Sequence, residues 1–328
     1  MYLESASMEI MEGKKFIAIG MLLLIVTQKL EAQHFEVGGS FGTLQYEGDI
    51  GGRANSFPGI LQNKTSPASP FRSLYLGYTP PSFIQIRISV LTGSIQAADS
   101  LLKQSTQKES IKKTRNLHFR SPIREASLLF AIHPFDFICT ELIWISKFSP
   151  YLLLGGGFFE FNPMGWYQNP SGPDGWVALK PLRTEGQGMS AYPDSREYAL
   201  RALNFQAGAG IRYQLSSKVA IALEILNRRT NTDYLDDVSR RYIDNNAFDA
   251  YFGSATKQAE IAKQLANNPA FKNAGNYVNG FLPGSLRGSP ASKDYYYGTS
   301  LRIGYRLGPV KDESMQRSRQ GILDCFRF

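Results

Sequence analysis

Residues 295–307, YYYGTSLRIGYRL, set Tyr295, Tyr297, Thr299, Leu301, Ile303, Tyr305 and Leu307 on one face of an extended chain. The other face receives Tyr296, Gly298, Ser300, Arg302, Gly304 and Arg306. Strict period-two alternation predicts a strand, because successive side chains of an extended chain point to opposite sides. LNFQAGAGIRYQL (203–215) repeats the pattern, with Leu203, Phe205, Ile211 and Tyr213 opposed to Asn204, Gln206, Gly208 and Arg212. FIQIRISVLT from Phe83 and KVAIALEIL from Lys218 alternate in the same way. Four further stretches start at Phe35, Arg72, Arg124 and Tyr151, bringing the predicted strands to eight.

The polar faces of these strands decide what they build. A water-facing sheet would carry Lys and Glu there, whereas these faces are Gly, Ala, Ser and Gln with scattered Arg and Glu, which suits a crowded interior. The apolar faces carry aromatics towards their ends, as a lipid-facing wall does. The connections alternate as well. PPS (80–82), SSK (216–218) and the segment around 136–148 are short or moderate, and 48–70, 95–117, 162–198 and 230–294 are long. Outer-membrane barrels pair short periplasmic turns with long outer loops. The predicted fold is therefore all-β: an eight-stranded antiparallel transmembrane β-barrel with long extracellular loops. The rival is a secreted lipocalin-like barrel with its apolar side chains turned inwards.

The amino end fits an exported chain. Lys14 and Lys15 precede an apolar run from Phe16 to Val26, followed by polar residues and Ala32. This is the pattern of a secretory signal peptide over residues 1–32, and the run is about half the roughly 20 residues a spanning helix needs. The barrel is then expected over 33–308 and a periplasmic tail over 309–328, in the outer membrane of a Gram-negative bacterium. Cys139 and Cys325 would both lie on the periplasmic side, where a disulfide is allowed.

Eight strands leave an interior just wide enough to be filled by side chains. Arg87, Glu125, Glu160, Arg212, Glu224, Arg302 and Arg306 fall on the faces predicted to point inwards and are expected to form a lumen charge network. A net charge of +8 with pI ≈ 9.3 raises the question of nucleic acid. An exported chain meets none, and lipid phosphates are the more natural counter-charge for the basic second loop. In the fourth loop, SATKQAEIAKQLANNP predicts a helix capped by Ser254 and stopped at Asn267.

TDYLDDVS (232–239) crowds Asp233, Asp236 and Asp237 into five positions after the seventh strand, at the outer rim and in contact with water. The spacing lacks the alternating oxygen ligands and sixth-position Gly of a calcium loop. An exposed rim also does not desolvate an acid for catalysis. The cluster is expected to act as a loop lock, its carboxylates bonding backbone amides and flanking arginines. RTEGQG of the third loop, with Arg183 and Glu185, is the expected partner surface; a metal site and paired-acid chemistry are the alternatives.

Together, FEVGGSFGTLQYEGDI, RSPIREASLLF, YLLLGGGFFEFNP, RTEGQG, TDYLDDVS and LRGSPASKDYYYGTSLRIGYRL make the chain resemble the outer-membrane barrel family that includes PorG of the type IX secretion system. The resemblance implies an integral outer-membrane protein associated with periplasmic ring components of that machinery; no cofactor is expected. Outer-membrane lipid and lipopolysaccharide are the other expected partners. The alternative from another class is a lipid-modifying enzyme, which would need a nucleophile and base near the outer leaflet. His118 beside Ser121 is the one candidate.

Overall fold

The computed structural model describes residues 34–51, 66–80, 84–102, 107–134, 148–267 and 281–308. The segment read as a signal peptide (1–32), the expected tail (309–328) and both cysteines lie outside these residues. Eight long strands close on themselves: β1 (His34–Glu47), β2 (Ser69–Thr79), β3 (Ile84–Ala98), β4 (His118–Ile132), β5 (Phe148–Phe161), β8 (Arg201–Gln214), β9 (Val219–Thr230) and β10 (Tyr295–Leu307). Every neighbouring pair is antiparallel, and β10 pairs back onto β1 with Phe35 opposite Leu307 and Glu47 opposite Tyr295. The predicted strands are all present. Between β5 and β8 the third loop adds a short hairpin, β6 (Met164–Tyr167) and β7 (Gly175–Ala178), tied to β4 at Arg120↔Met164.

The wall has the predicted faces. Leu74, Ile88, Leu203, Leu223 and Ile303 are exposed, Leu74 to 68% and Leu223 to 65%, whereas Arg302 and Arg87 are 2% exposed. In water so large an apolar surface would drive association. In lipid it is the solvent-matched face, and a closed barrel leaves no backbone polar group unsatisfied. At the end with the short turns, Phe35 packs on Tyr78 and Phe148 on Tyr213, with centroids 5.1 and 4.7 Å apart. These outward pairs form an aromatic girdle.

Towards the other end the pattern inverts. Arg72, Thr92, Arg124, Glu160 and Arg201 are consecutive cross-strand partners from β2 to β8, and all face outwards. Next to them on the membrane side lies a second row of outward residues, the apolar Leu74, Val90, Ala126, Phe158 and Leu203. Beyond the charged row the strands stand clear of the bilayer, polar side chains such as Arg120 turn out, and apolar ones turn in. Leu44, Tyr46, Ile95, Phe119, Ile123, Phe159 and Tyr296 form a core inside the projecting barrel. This inversion extends β4 back to His118, ahead of its expected start at Arg124.

The inversion also corrects one lumen assignment. Glu160 does not face the interior: it shares the outward face of β5 with Leu154 and Phe158 and pairs with Arg201 at 2.8 Å, both side chains well exposed. A charge on a strand need not point inwards once that strand has left the lipid.

The described parts of the long outer connections are folded. The second carries α1 (Gln107–Arg115). The fourth carries α2 (Asn245–Phe252) and α3 (Lys257–Ala266). Thr256, not Ser254, caps α3, its hydroxyl accepting from Ala259 N at 3.2 Å; Gly253 and Ala255, both at positive φ, hold the chain out of the helix until that point. Leu265 packs with Leu179, Leu182 and Tyr167 of the third loop, so the apolar stripe of α3 is spent within the protein.

Candidate functional site

Two polar assemblies occupy the barrel, one in the membrane and one above it. In the lumen, Glu224 Oε1 accepts from Arg87 Nη1 at 2.8 Å and Tyr151 Oη at 2.5 Å, and faces Arg302 Nε at 3.0 Å. Arg302 Nη1 donates to Glu36 Oε1 at 2.7 Å, which also accepts from Tyr75 Oη at 2.6 Å. Small residues make the space: a Cβ on Gly304 would lie 2.4 Å from both Tyr75 Oη and Glu36 Oε1. Nearer the outer end Glu125 accepts from Arg228 at 3.0 Å, Asn204 at 2.7 Å and Tyr296 at 2.6 Å. Buried charges are tolerable only when paired and hydrogen-bonded in this way. The pocket left inside, lined by Tyr75, Arg87, Ser89, Glu224 and Arg302 among others, holds about 30 Å³. That is room for about one water molecule.

Of the residues assigned to the lumen by sequence, Arg87, Glu125, Glu224 and Arg302 meet there. Arg212 and Arg306 are half-buried near the short-turn end. Glu36, Arg228, Tyr75 and Tyr151 were missed. Arg228 shares the inward face of β9 with Glu224, and Glu36 alternates with the outward Phe35 and Val37 at the start of β1, so carrying the alternation to the strand ends finds both.

Above the membrane, residues from all four outer connections converge. Contrary to expectation, the aspartates of TDYLDDVS are not in contact with water: Asp233 is 2% exposed and Asp236 and Asp237 are fully buried. The other loops fold over it. Asp236 accepts from Tyr46 Oη at 2.7 Å and from the amides of Ile50 and Val238, each at 2.9 Å. Asp294 also meets Tyr46 Oη, at 2.8 Å, and accepts from Leu235 N. A phenol has one proton to give, so the two carboxyl groups cannot both accept it. The arrangement is best satisfied when one of the two holds a proton and donates it to the phenol oxygen. Burial pushes both carboxyl groups above the usual carboxylate range, and the acids beside them add to the shift.

Asp237, held at φ 64°, accepts from Thr184 Oγ1 and from Tyr198 Oη at 2.7 Å. Glu185 accepts from Ser239 N and Arg240 N, each at 3.0 Å, and from Arg287 Nη1 at 3.1 Å. Arg287 Nη1 also donates to the Asp237 carbonyl at 2.7 Å. Burial raises Glu185 to about 7 and Asp237 to about 6, against the pull of Arg287 and their hydrogen bonds. Burial likewise raises Asp233 to about 7, with Asp49 and Asp236 adding to the shift. On the opposite side Arg115 forks onto Asp99 at 2.7 and 3.0 Å and donates to the carbonyls of Arg287 and Asp49.

RTEGQG thus meets TDYLDDVS through Thr184 and Glu185. Arg183 does not reach the aspartates; it pairs with Glu197 and lies over the Tyr251 ring at 5.0 Å. Nor do the flanking arginines supply the neutralising charge, since Arg228 turns into the barrel and only the backbone amide of Arg240 takes part. Arg287, fifty residues along the chain from Asp237, fills the role, and no local pattern announces it. Among the described residues no cluster of three or more His, Cys, Asp or Glu side chains could hold a metal ion. His118 and Ser121 sit on opposite faces of β4; His118 Nε2 accepts from Trp166 N at 3.1 Å and Ser121 Oγ from Asn162 N at 3.0 Å.

A closed eight-stranded wall, an apolar belt with an aromatic girdle and a charge-filled lumen define an outer-membrane β-barrel protein. No protein family and no curated protein matches the chain. Among solved structures it is similar to Neisserial surface protein A, with 7% identity, 83% of this chain and 97% of that one covered, and TM-score 0.35. It is also similar to OprG of Pseudomonas aeruginosa (9%, 84% and 96%, 0.34) and to Ail, the attachment invasion locus protein of Yersinia pestis (9%, 84% and 97%, 0.30).

Proposed function

We propose that the protein is a non-catalytic structural barrel: a sealed membrane anchor that carries a rigid extracellular platform. The observation behind this is the lumen, where among the described residues Arg87, Glu224, Arg302 and Glu36 pair across the interior and the pocket they line holds about 30 Å³. The platform follows from the cap, in which buried acids and arginines join the four outer connections. Reconstitution in planar bilayers tests the sealed wall: no ion-conducting steps are expected, and a stable open-channel conductance would overturn it.

A scaffold role beside a type IX secretion machinery rests on the sequence resemblance given above. Affinity purification of tagged protein from outer membranes tests it. Recovery of periplasmic ring components supports the association, and recovery of lipopolysaccharide without any of them removes it. An acyltransferase or esterase role has no geometric support in the His118–Ser121 pair.

A further inference from the structure

The charged row outside the barrel has a use that the sealed wall leaves open. Between Arg72, Thr92, Arg124 and Glu160 above and Leu74, Val90, Ala126 and Phe158 below lies a groove of about 690 Å³ on the outer surface of β2 to β5. Its floor is made by the small side chain of Ala126 between larger neighbours. Glu160 is engaged by Arg201. Arg72 and Arg124 are exposed and have no hydrogen bond or ion pair among the described residues. They stand on strands separated only by β3, which puts their backbones roughly 10 Å apart. Both lie where the outward face passes from apolar to polar, the height of a lipid headgroup.

We propose that this groove binds a phosphorylated saccharolipid of the outer leaflet, the bisphosphorylated lipid A of lipopolysaccharide. Several features select it. The groove opens towards the long loops, hence towards the outer leaflet. Two guanidiniums without protein partners call for two anionic groups, and arginine is the side chain whose fork matches phosphate. A glycerophospholipid with a single phosphate would satisfy only one of them. An apolar surface four strands wide, from Leu74 on β2 to Phe158 on β5, suits several acyl chains lying side by side. The Thr92 hydroxyl, between the two arginines, is placed to meet the sugar.

The test uses full-length protein in detergent micelles, with native mass spectrometry reading retained lipid. The probes are bisphosphorylated lipid A, monophosphoryl lipid A and phosphatidylglycerol. Wild type should retain lipid A at least tenfold better than phosphatidylglycerol, with the monophosphoryl form between them. Arg72→Gln with Arg124→Gln should cut lipid A retention five- to tenfold and leave phosphatidylglycerol unchanged. Ala126→Phe, which fills the floor and keeps the charges, should weaken lipid A as well. Heat-modifiable mobility on gels reports folding of each variant independently of the lipid. Equal retention of lipid A by folded wild type and the double arginine variant overturns the proposal, as does equal retention of lipid A and phosphatidylglycerol by wild type.

Discussion

Replacing Arg287 with Met tests whether the cap is held by charge. The arginine is 3% exposed, and its Nη1 alone bonds Thr184 Oγ1, Glu185 Oε1 and the Asp237 carbonyl. Removing one partner of a buried ion pair costs about 3–5 kcal/mol, because the other charge stays buried. Glu185 has an escape, which is to take up a proton. Because Glu185 already sits at about 7 in the folded cap, that costs only ~1.4 kcal/mol relative to wild type at pH 8 and nothing at pH 5.5, where it is already mostly protonated. The lost hydrogen bonds to Thr184 and the Asp237 carbonyl add about 2 kcal/mol at either pH, so the penalty should be about 3 kcal/mol at pH 8 and about 2 at pH 5.5. Hydrogen exchange by mass spectrometry, on peptides covering 184–188 and 235–241, reads it as the variant-to-wild-type ratio at each pH. At pH 8 exchange should be on the order of 10²-fold faster, up to complete opening of the cap, while β9 amides stay protected. Adding Glu185→Gln to the variant should restore part of the protection. Cap exchange within threefold of wild type at pH 8, or the same acceleration at both pH values, would refute the reasoning.

Three further outcomes are expected. In the unaltered protein the raised carboxyl groups Glu185, Asp233 and Asp237 mean that the folded cap holds more protons than the opened one between about pH 4 and 7. Cap stability should then be greatest on the acid side and decline as pH rises through 6 to 7; intrinsic-rate-corrected exchange that slows over this range would show instead that the carboxylates are held ionised. Glu224→Gln leaves Arg87 and Arg302 facing a neutral amide and should cost about 3–5 kcal/mol, read as a lower unfolding temperature of the barrel on heat-modifiability gels. An unchanged midpoint would mean that the lumen network contributes no stability. Leu223→Arg, in the exposed middle of β9, should destabilise the barrel by about 2–4 kcal/mol in urea-dependent folding into vesicles; no effect there would place that face away from lipid.

The wall was legible in the sequence because alternation survives wherever one face meets lipid and the other a packed interior. Ile303 beside Arg302 carries the same message in the chain as in the barrel. What hid was the reversal above the membrane. Between His118 and Ile123 the apolar Phe119 and Ile123 turn inwards and Arg120 outwards, so polarity alone no longer tells which way a side chain points, and Glu160 was misassigned for that reason. The aspartates of the cap were visible as a cluster, but their burial was not. It depends on Ile50, Thr184, Glu185 and Arg287, which arrive from three separate connections and follow no local period. Short-range pattern reports the environment of a strand; it does not report which distant loop will close over it.

The cap also sets an order on assembly. Its bonds join Tyr46 to Asp294 across 248 residues and Asp49 to Ser289 across 240, and Asp294 stands immediately ahead of β10, the strand that pairs back onto β1. Contacts so far apart in sequence form late, once the intervening chain has been brought together. The outer surface can take its final shape only after the last strand has zipped onto the first. An antibody raised against the folded cap would therefore recognise finished barrels and ignore those still open at the seam, which makes this surface a marker of completed insertion.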